Sequence, residues 1–196
     1  APSNMPQQVI DQIMADKSNW IEAKLKQLHA SMQKKPTRRY EPGEQFFYLG
    51  KPYSLQFSPK VRKIAFKDDE IVIPESQRAN PRPALETFFR AQARAHITLR
   101  VMLLAQETGT KPTSLRISSA RTRWGSCSSK GTLSITWRLV MAPAPVIDYV
   151  ITHELMHLKI KNHSKEFWRA VATWMPDYRK HKNWLRENGR RLMQLL

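Results

Sequence analysis

Val146-Ile-Asp-Tyr-Val-Ile-Thr-His-Glu-Leu-Met-His157, together with the His163 that follows it, is the stretch that decides both fold and chemistry. If Pro145 opens a helix, His153 and His157 are four residues apart and project from one face, one turn above the other. Two imidazoles so placed can bind one metal ion. Glu154, on the adjacent edge of that face, can then reach a metal-bound water without becoming a ligand. The His-Glu-x-x-His spacing is that of zinc hydrolases, with two ligands and a general base. The competing interpretation is an ordinary amphipathic helix that happens to carry two histidines. Ile147, Val150, Ile151, Leu155 and Leu158 argue against it, because apolar surroundings raise the cost of unpaired polar groups.

A catalytic zinc commonly takes three protein ligands and leaves a fourth position to water. His163 is the natural third ligand. Lys161-Asn162 looks like a helix end, because Asn tolerates the left-handed conformation that terminates helices. Ser164 can then cap a new helix over residues 165–174, in which Phe167, Ala170, Val171 and Trp174 keep helical spacing. The gap from His157 to His163 matches the long zinc-protease pattern, although Ile160 stands where that pattern has Gly. Glu166 is the rival third ligand.

With 196 residues, 41% of them hydrophobic, the chain can build one generous domain or two small ones around a real core. No apolar run approaches membrane-spanning length, and Ala1 to Asn19 lack the charged-then-apolar pattern of a signal peptide. A soluble cytoplasmic protein without membrane contact is the expectation. Cys127 is the single cysteine, which rules out an intrachain disulfide and fits a reducing compartment. The charge is the other global fact: 33 Lys and Arg against 16 Asp and Glu leave +17. Such a field favours acidic partners, nucleic acid and phosphate-bearing ligands among them; it is equally compatible with a solvated basic surface.

From the start, Ile10, Ile13, Ile21, Leu25, Leu28 and Met32 recur at near-helical spacing and predict an amphipathic helix or a broken pair. A basic linker, Lys34-Lys35-Pro36-Thr37-Arg38-Arg39, then stops it. Over residues 43–74 the period becomes two. Phe46 and Tyr48, then Tyr53, Leu55 and Phe57, then Ile64 and Phe66, then Ile71 and Ile73 predict short strands in an antiparallel meander. After Pro81-Arg82-Pro83 a helix should run to about Glu107, burying Leu85, Phe88, Phe89, Ala93, Ile97, Val101 and Leu104, with Gly109 ending it.

Residues 115–119 and 132–137 alternate as strands. Between them lies Arg121-Thr-Arg-Trp-Gly-Ser-Cys-Ser-Ser-Lys-Gly131. Gly, Ser and backbone amides there could cradle an anion with Arg121, Arg123 and Lys130 supplying charge, or the stretch could be a hairpin loop pinned by Trp124. Cys127 beside Arg123 is a lesser candidate, a nucleophile with a lowered pKa. Tyr178 and His181 could return to steady a developing oxyanion, while Trp168, Trp174 and Trp184 fit the core better than a base-stacking platform.

Thr122-Arg-Trp-Gly-Ser-Cys-Ser128, Trp137-Arg-Leu-Val-Met-Ala-Pro143, Asp148 to His157 and Asn162-His-Ser-Lys-Glu-Phe-Trp168 resemble, in order, the signatures of the YgjP-like metallopeptidase family, part of the wider set of zincin peptidases. Tyr48-Leu-Gly50 and Pro176-Asp-Tyr178 extend the resemblance over nearly the whole chain. It implies a zinc held by His153, His157 and His163, with Glu154 catalytic. It also implies a strand at residues 132–137 beside the metal helix, an edge to which a polypeptide could add. Met156 stands where relatives often carry Cys.

The expected fold is therefore α+β: a zincin-like core of helices on a small, mainly antiparallel sheet, preceded by an N-terminal helix and β-meander. Residues 1–80 and 81–196 form the two parts of one continuous unit. The expected activity is that of a metallopeptidase using one zinc ion per chain and a zinc-activated water, with a polypeptide substrate. The candidate substrate-binding residues are Arg121, Arg123, Ser126, Lys130, Arg138 and Tyr178. The alternative is a nucleotide pyrophosphatase or nucleic-acid-associated hydrolase whose phosphate-bearing substrate relies on Arg121, Arg123, Lys130 and Arg138.

Overall fold

A computed structural model describes residues 5–32 and 38–196. Residues 34–37 of the expected basic linker lie outside the described residues. The chain falls into two compact units, residues 1–38 and 39–196.

The first unit holds one continuous helix, α1 (Gln7–Met32), not a broken pair. Among its described side chains, Ile13 is 45% and Trp20 63% exposed.

The second unit opens with four strands, β1 (Gln45–Tyr48), β2 (Lys51–Ser58), β3 (Ala65–Lys67) and β4 (Glu70–Pro74). They lie in the order β1-β2-β4-β3, which corrects the meander. β1–β2 and β3–β4 are antiparallel hairpins, but β2 and β4 run parallel, with Leu55 opposite Ile71 and Phe57 opposite Ile73. The apolar content of β4 explains the exchange. Ile71, Val72 and Ile73 are all buried and demand a neighbour on each side, whereas β3 is largely exposed and takes the edge. The β1–β2 turn is Leu49-Gly50, both at positive φ (51° and 82°), the signature of the two-residue turn that suits hairpin twist.

Helix α2 (Pro81–Thr108) buries Leu85, Phe89, Ala93, Ile97, Val101 and Leu104, a stripe at helical spacing. It ends as expected at Gly109, whose left-handed backbone (φ 61°) closes the last turn. Strands β5 (Ser114–Ser118), β6 (Gly125–Cys127) and β7 (Thr132–Thr136) form the second sheet in the order β5-β7-β6. β5–β7 is parallel and β6–β7 antiparallel, so the sheet is mixed and not mainly antiparallel. β7 lies in the middle. The edge attributed to residues 132–137 therefore belongs to β6, because both sides of β7 are already paired.

A 3-10 turn over Trp137–Met141 leads to α3 (Ala144–Met156), followed by α4 (Lys165–Trp174) and α5 (Tyr178–Met193). The α+β class stands. No helix among the described residues is long and apolar enough to cross a membrane. The first sheet docks on the start of α3 through its hairpin tip. The Leu49 N–H donates to the Val140 carbonyl at 2.8 Å, and a Cβ built on Gly50 would fall 2.9 Å from Pro143 Cα. Gly50→Ala combines that clash with positive-φ strain. It should lower unfolding free energy by about 1–3 kcal/mol in chemical denaturation.

Candidate functional site

Helix α3 is almost wholly buried, and its apolar residues carry the site. Val146, Ile147, Val150, Ile151 and Leu155 are each at most 4% exposed. Arg100 of α2 grips Asp148 through two hydrogen bonds, Nε to Oδ1 at 2.7 Å and Nη2 to Oδ2 at 3.0 Å, tying the two helices together. The helix ends at Met156, earlier than the break expected at Lys161-Asn162. A tight turn follows, in which His157 Nδ1 donates to the Ile160 carbonyl at 3.0 Å. The Asn162 side chain accepts from the Ser164 N–H at 3.3 Å, and Ser164 caps α4 by accepting from the Phe167 N–H at 3.3 Å. These local bonds swing His163 back over α3.

Three imidazoles converge as a result. His163 Nε2 lies 3.0 Å from His153 Nε2 and 3.2 Å from His157 Nε2, and the three potential ligand atoms all fall within 4.8 Å of one another. Glu166, the rival ligand, is exposed and outside the group. The donor set fits zinc. A tetrahedral ion with bonds of about 2.0–2.1 Å sets its donors about 3.3 Å apart, close to the two short separations. The hydrogen bond from His157 Nδ1 places that proton away from Nε2, leaving a lone pair aimed at the cluster. Burial, then the neighbouring His157 and His163, hold His153 down to about 3, and burial also lowers His157; neutral rings are the ligating form. His153 Nδ1 is buried and lacks a hydrogen-bond partner.

Glu154 is 6% exposed, and burial pushes its carboxyl up to about 7 against the pull of the Arg123 guanidinium. Gly125 explains how it fits. A Cβ there would lie 2.6 Å from Glu154 Oε1, so only glycine lets β6 pass so close. This role, and that of Phe167, escaped sequence reasoning. Phe167 is fully buried, and its ring centre lies 4.9, 4.5 and 4.9 Å from those of His153, His157 and His163. Its place three residues after the Ser164 cap was the available signal.

The remaining candidates separate. Residues 125–127 are a strand and not an anion nest, and Trp124 packs on Gly189, which has no side chain to obstruct it. Ser126 pairs with Ser134 across the ladder, and Lys130 lies at the exposed hairpin turn. Arg121 donates to the Leu196 main-chain oxygen at 3.3 Å. Arg138 is corrected outright: at 1% exposure it stacks on Trp137 and donates to the same Leu196 oxygen at 2.8 Å, so it cannot meet a ligand. Tyr178 is 8% exposed and stacks on Trp168 at 5.3 Å. His181 is held by Asp177 at 3.1 Å. Burial pushes the Cys127 thiol up, opposite to what a nucleophile needs. Trp174, expected in the core, is 46% exposed.

Three converging imidazole donors, with a buried glutamate directly after the first of them on α3, form a constellation suited to metal-assisted hydrolysis. The chain belongs to the YgjP-like metallopeptidase-domain family, whose model matches residues 1–188. It is thereby a metallohydrolase of the metallopeptidase class. Two solved structures are similar to part of it. The metallopeptidase zymogen of Pyrococcus abyssi abylysin is 21% identical with a TM-score of 0.43, covering 48% of this chain and 96% of that one. The zymogen of Methanocaldococcus jannaschii jannalysin is also 21% identical at a TM-score of 0.43, covering 47% and 95%. None of the curated proteins matches.

Phe167→Ala removes a ring that touches all three imidazoles. It should cost about 3–5 kcal/mol of stability, the usual penalty for emptying a buried aromatic site, measured by denaturant unfolding.

Proposed function

We propose that this chain is a zinc metallopeptidase in which His153, His157 and His163 hold one ion and Glu154 is the general base. The observation that carries it is the convergence of the three Nε2 atoms, with the residue directly after His153 on α3, Glu154, carrying a carboxylate that burial pushes up to about 7. When bound, zinc supplies Lewis acidity and lowers the pKa of water. Glu154 takes the proton of the attacking water as its oxygen joins the scissile carbonyl carbon. With its proton affinity near neutral, it then returns that proton to the departing amine as the C–N bond breaks. Its burial excludes competing water and strengthens each charge–dipole contact around it.

The substrate backbone has an edge to meet. β6 ends its sheet, and the Trp124 carbonyl and Ser128 N–H bond to β7. By antiparallel alternation, the N–H and C=O groups of Gly125 and Cys127 face away from β7. An extended polypeptide added there would run past Gly125, directly over Glu154. The phosphate-directed alternative loses support because its candidate contacts do not gather: Arg138 is buried, Arg121 serves Leu196 and Lys130 sits at the hairpin turn.

Glu154→Gln should keep one equivalent of zinc by elemental analysis and lose at least about a hundredfold in peptide hydrolysis, since Gln keeps the shape but takes no proton. Hydrolysis of any peptide at the parental rate would remove Glu154 from the role of base. His153→Ala, His157→Ala and His163→Ala should each lose zinc to a chelator that the parent resists, because two imidazoles hold it poorly. Full retention in His163→Ala would move the third ligand elsewhere. Gly125→Ala should retain zinc yet lose turnover, as the added methyl displaces the Glu154 carboxylate.

A further inference from the structure

Two clefts meet beside the histidine cluster, of about 360 and 600 Å³, sharing Trp168, Tyr178 and Arg179. Lys182 and Arg186 line the first, Lys165 and Arg169 the second, and no carboxylate lines either. Among the described residues Lys165, Arg169, Lys182 and Arg186 form no ion pair. Arg179, Lys182 and Arg186 share one face of α5, three and four residues apart. The stripe begins at the site. Lys182 Nζ stands 4.1 Å over the Trp168 ring, which in turn lies 5.7 Å from the rings of both His153 and His163.

We propose that this stripe selects the substrate: an extended polypeptide segment carrying Asp or Glu at alternate positions beside the bond to be cut. The proposal rests on the peptidase reading and names its substrate class. Unpaired cations held side by side repel one another, and an acidic ligand relieves that repulsion. The spacing suits an extended chain. Four helical residues advance about 6 Å, close to the roughly 6.6 Å between alternate side chains of a strand, so Lys182 and Arg186 can meet successive carboxylates on one side of the peptide. A single-stranded nucleic acid fits less well. Base stacking needs an open aromatic face, and the Trp168 ring is covered by Tyr178 at 5.3 Å and by Lys182.

The test uses zinc-loaded Glu154→Gln, which should bind peptides without consuming them, and labelled unstructured peptides of equal length that are acidic, neutral or basic. Anisotropy should show the acidic peptide bound at least about tenfold more tightly than the neutral one, the preference shrinking as salt rises. Adding Arg179→Gln, Lys182→Gln and Arg186→Gln should abolish the preference. Adding Arg62→Gln, Lys63→Gln and Lys67→Gln, exposed cations outside both clefts, removes the same charge and should leave it nearly intact. Equal loss in both triple variants would make the effect one of net charge and overturn the assignment. So would equal affinity for acidic and neutral peptides, or a thymidine oligonucleotide that displaces the acidic peptide and depends on the same three cations. Cleavage is scored separately with Glu154 restored. Acid-selective binding with no cleavage of any peptide overturns the peptidase reading and leaves the stripe as a binding surface; cleavage without acid preference overturns the stripe alone.

Discussion

Burial of the Glu154 carboxylate is the constraint on which the rest of this structure depends. An ionisable group inside an apolar helix is costly to desolvate, and burial accordingly pushes Glu154 up to about 7. The surrounding architecture permits this without filling the space over the group. β6 crosses it at Gly125, where any side chain would collide, and Arg123, two residues before that glycine, moderates the shift. α3 in turn needs a rigid bed: α2 holds it through Arg100 and Asp148, and the first sheet reaches it through the Leu49-Gly50 tip. The strand pairings far from the site thus bear on it, because they fix where the helix can lie.

The histidine cluster solves a second problem by local means. A straight continuation of α3 would carry His163 away from the other imidazoles, so the chain must turn at once after His157. The bond from His157 Nδ1 to Ile160, the Asn162 turn and the Ser164 cap make that turn within a few residues. Each is a short-range bond. Together they also aim Phe167 into the centre of the three rings, so the cap that starts α4 and the packing that steadies the imidazoles are one device.

Short-range features of this kind were legible in the sequence. The histidine spacing, the Ser164 cap, the α2 stripe and the Gly109 stop all follow from helical period and capping chemistry, and the structure places them as expected except that Phe88 of the stripe is only half-buried. Long-range pairing was not. Alternation marks β2, β3 and β4 as strands but says nothing of partners, and the doubly buried Ile71-Val72-Ile73 run took the middle of the sheet from its sequence neighbour. The same gap hid that β7 is central and β6 the edge. Arg138 was misjudged for a related reason: a basic residue suggests the surface, and only the fold reveals Leu196 beneath it as an acceptor. Gly125 could be read as flexible from the sequence; its true demand, room for a carboxylate, is a contact between distant segments.

Helix α5 draws these threads together through its charge. Its inner side receives Trp124 at Gly189 and so supports the strand that covers Glu154, while Lys182 reaches over Trp168 toward the imidazoles. The positive field there acts on the cluster as well as on any incoming ligand. After burial and the other two histidines, Lys182 is a further influence lowering His153, and a ring that resists protonation stays available as a ligand. A carboxylate lining in the same place would have worked in the opposite sense, favouring imidazolium and competing for the metal. The absence of acidic residues from the clefts beside the site is therefore consistent with both demands at once: neutral histidines at the centre and an uncompensated basic rim around them.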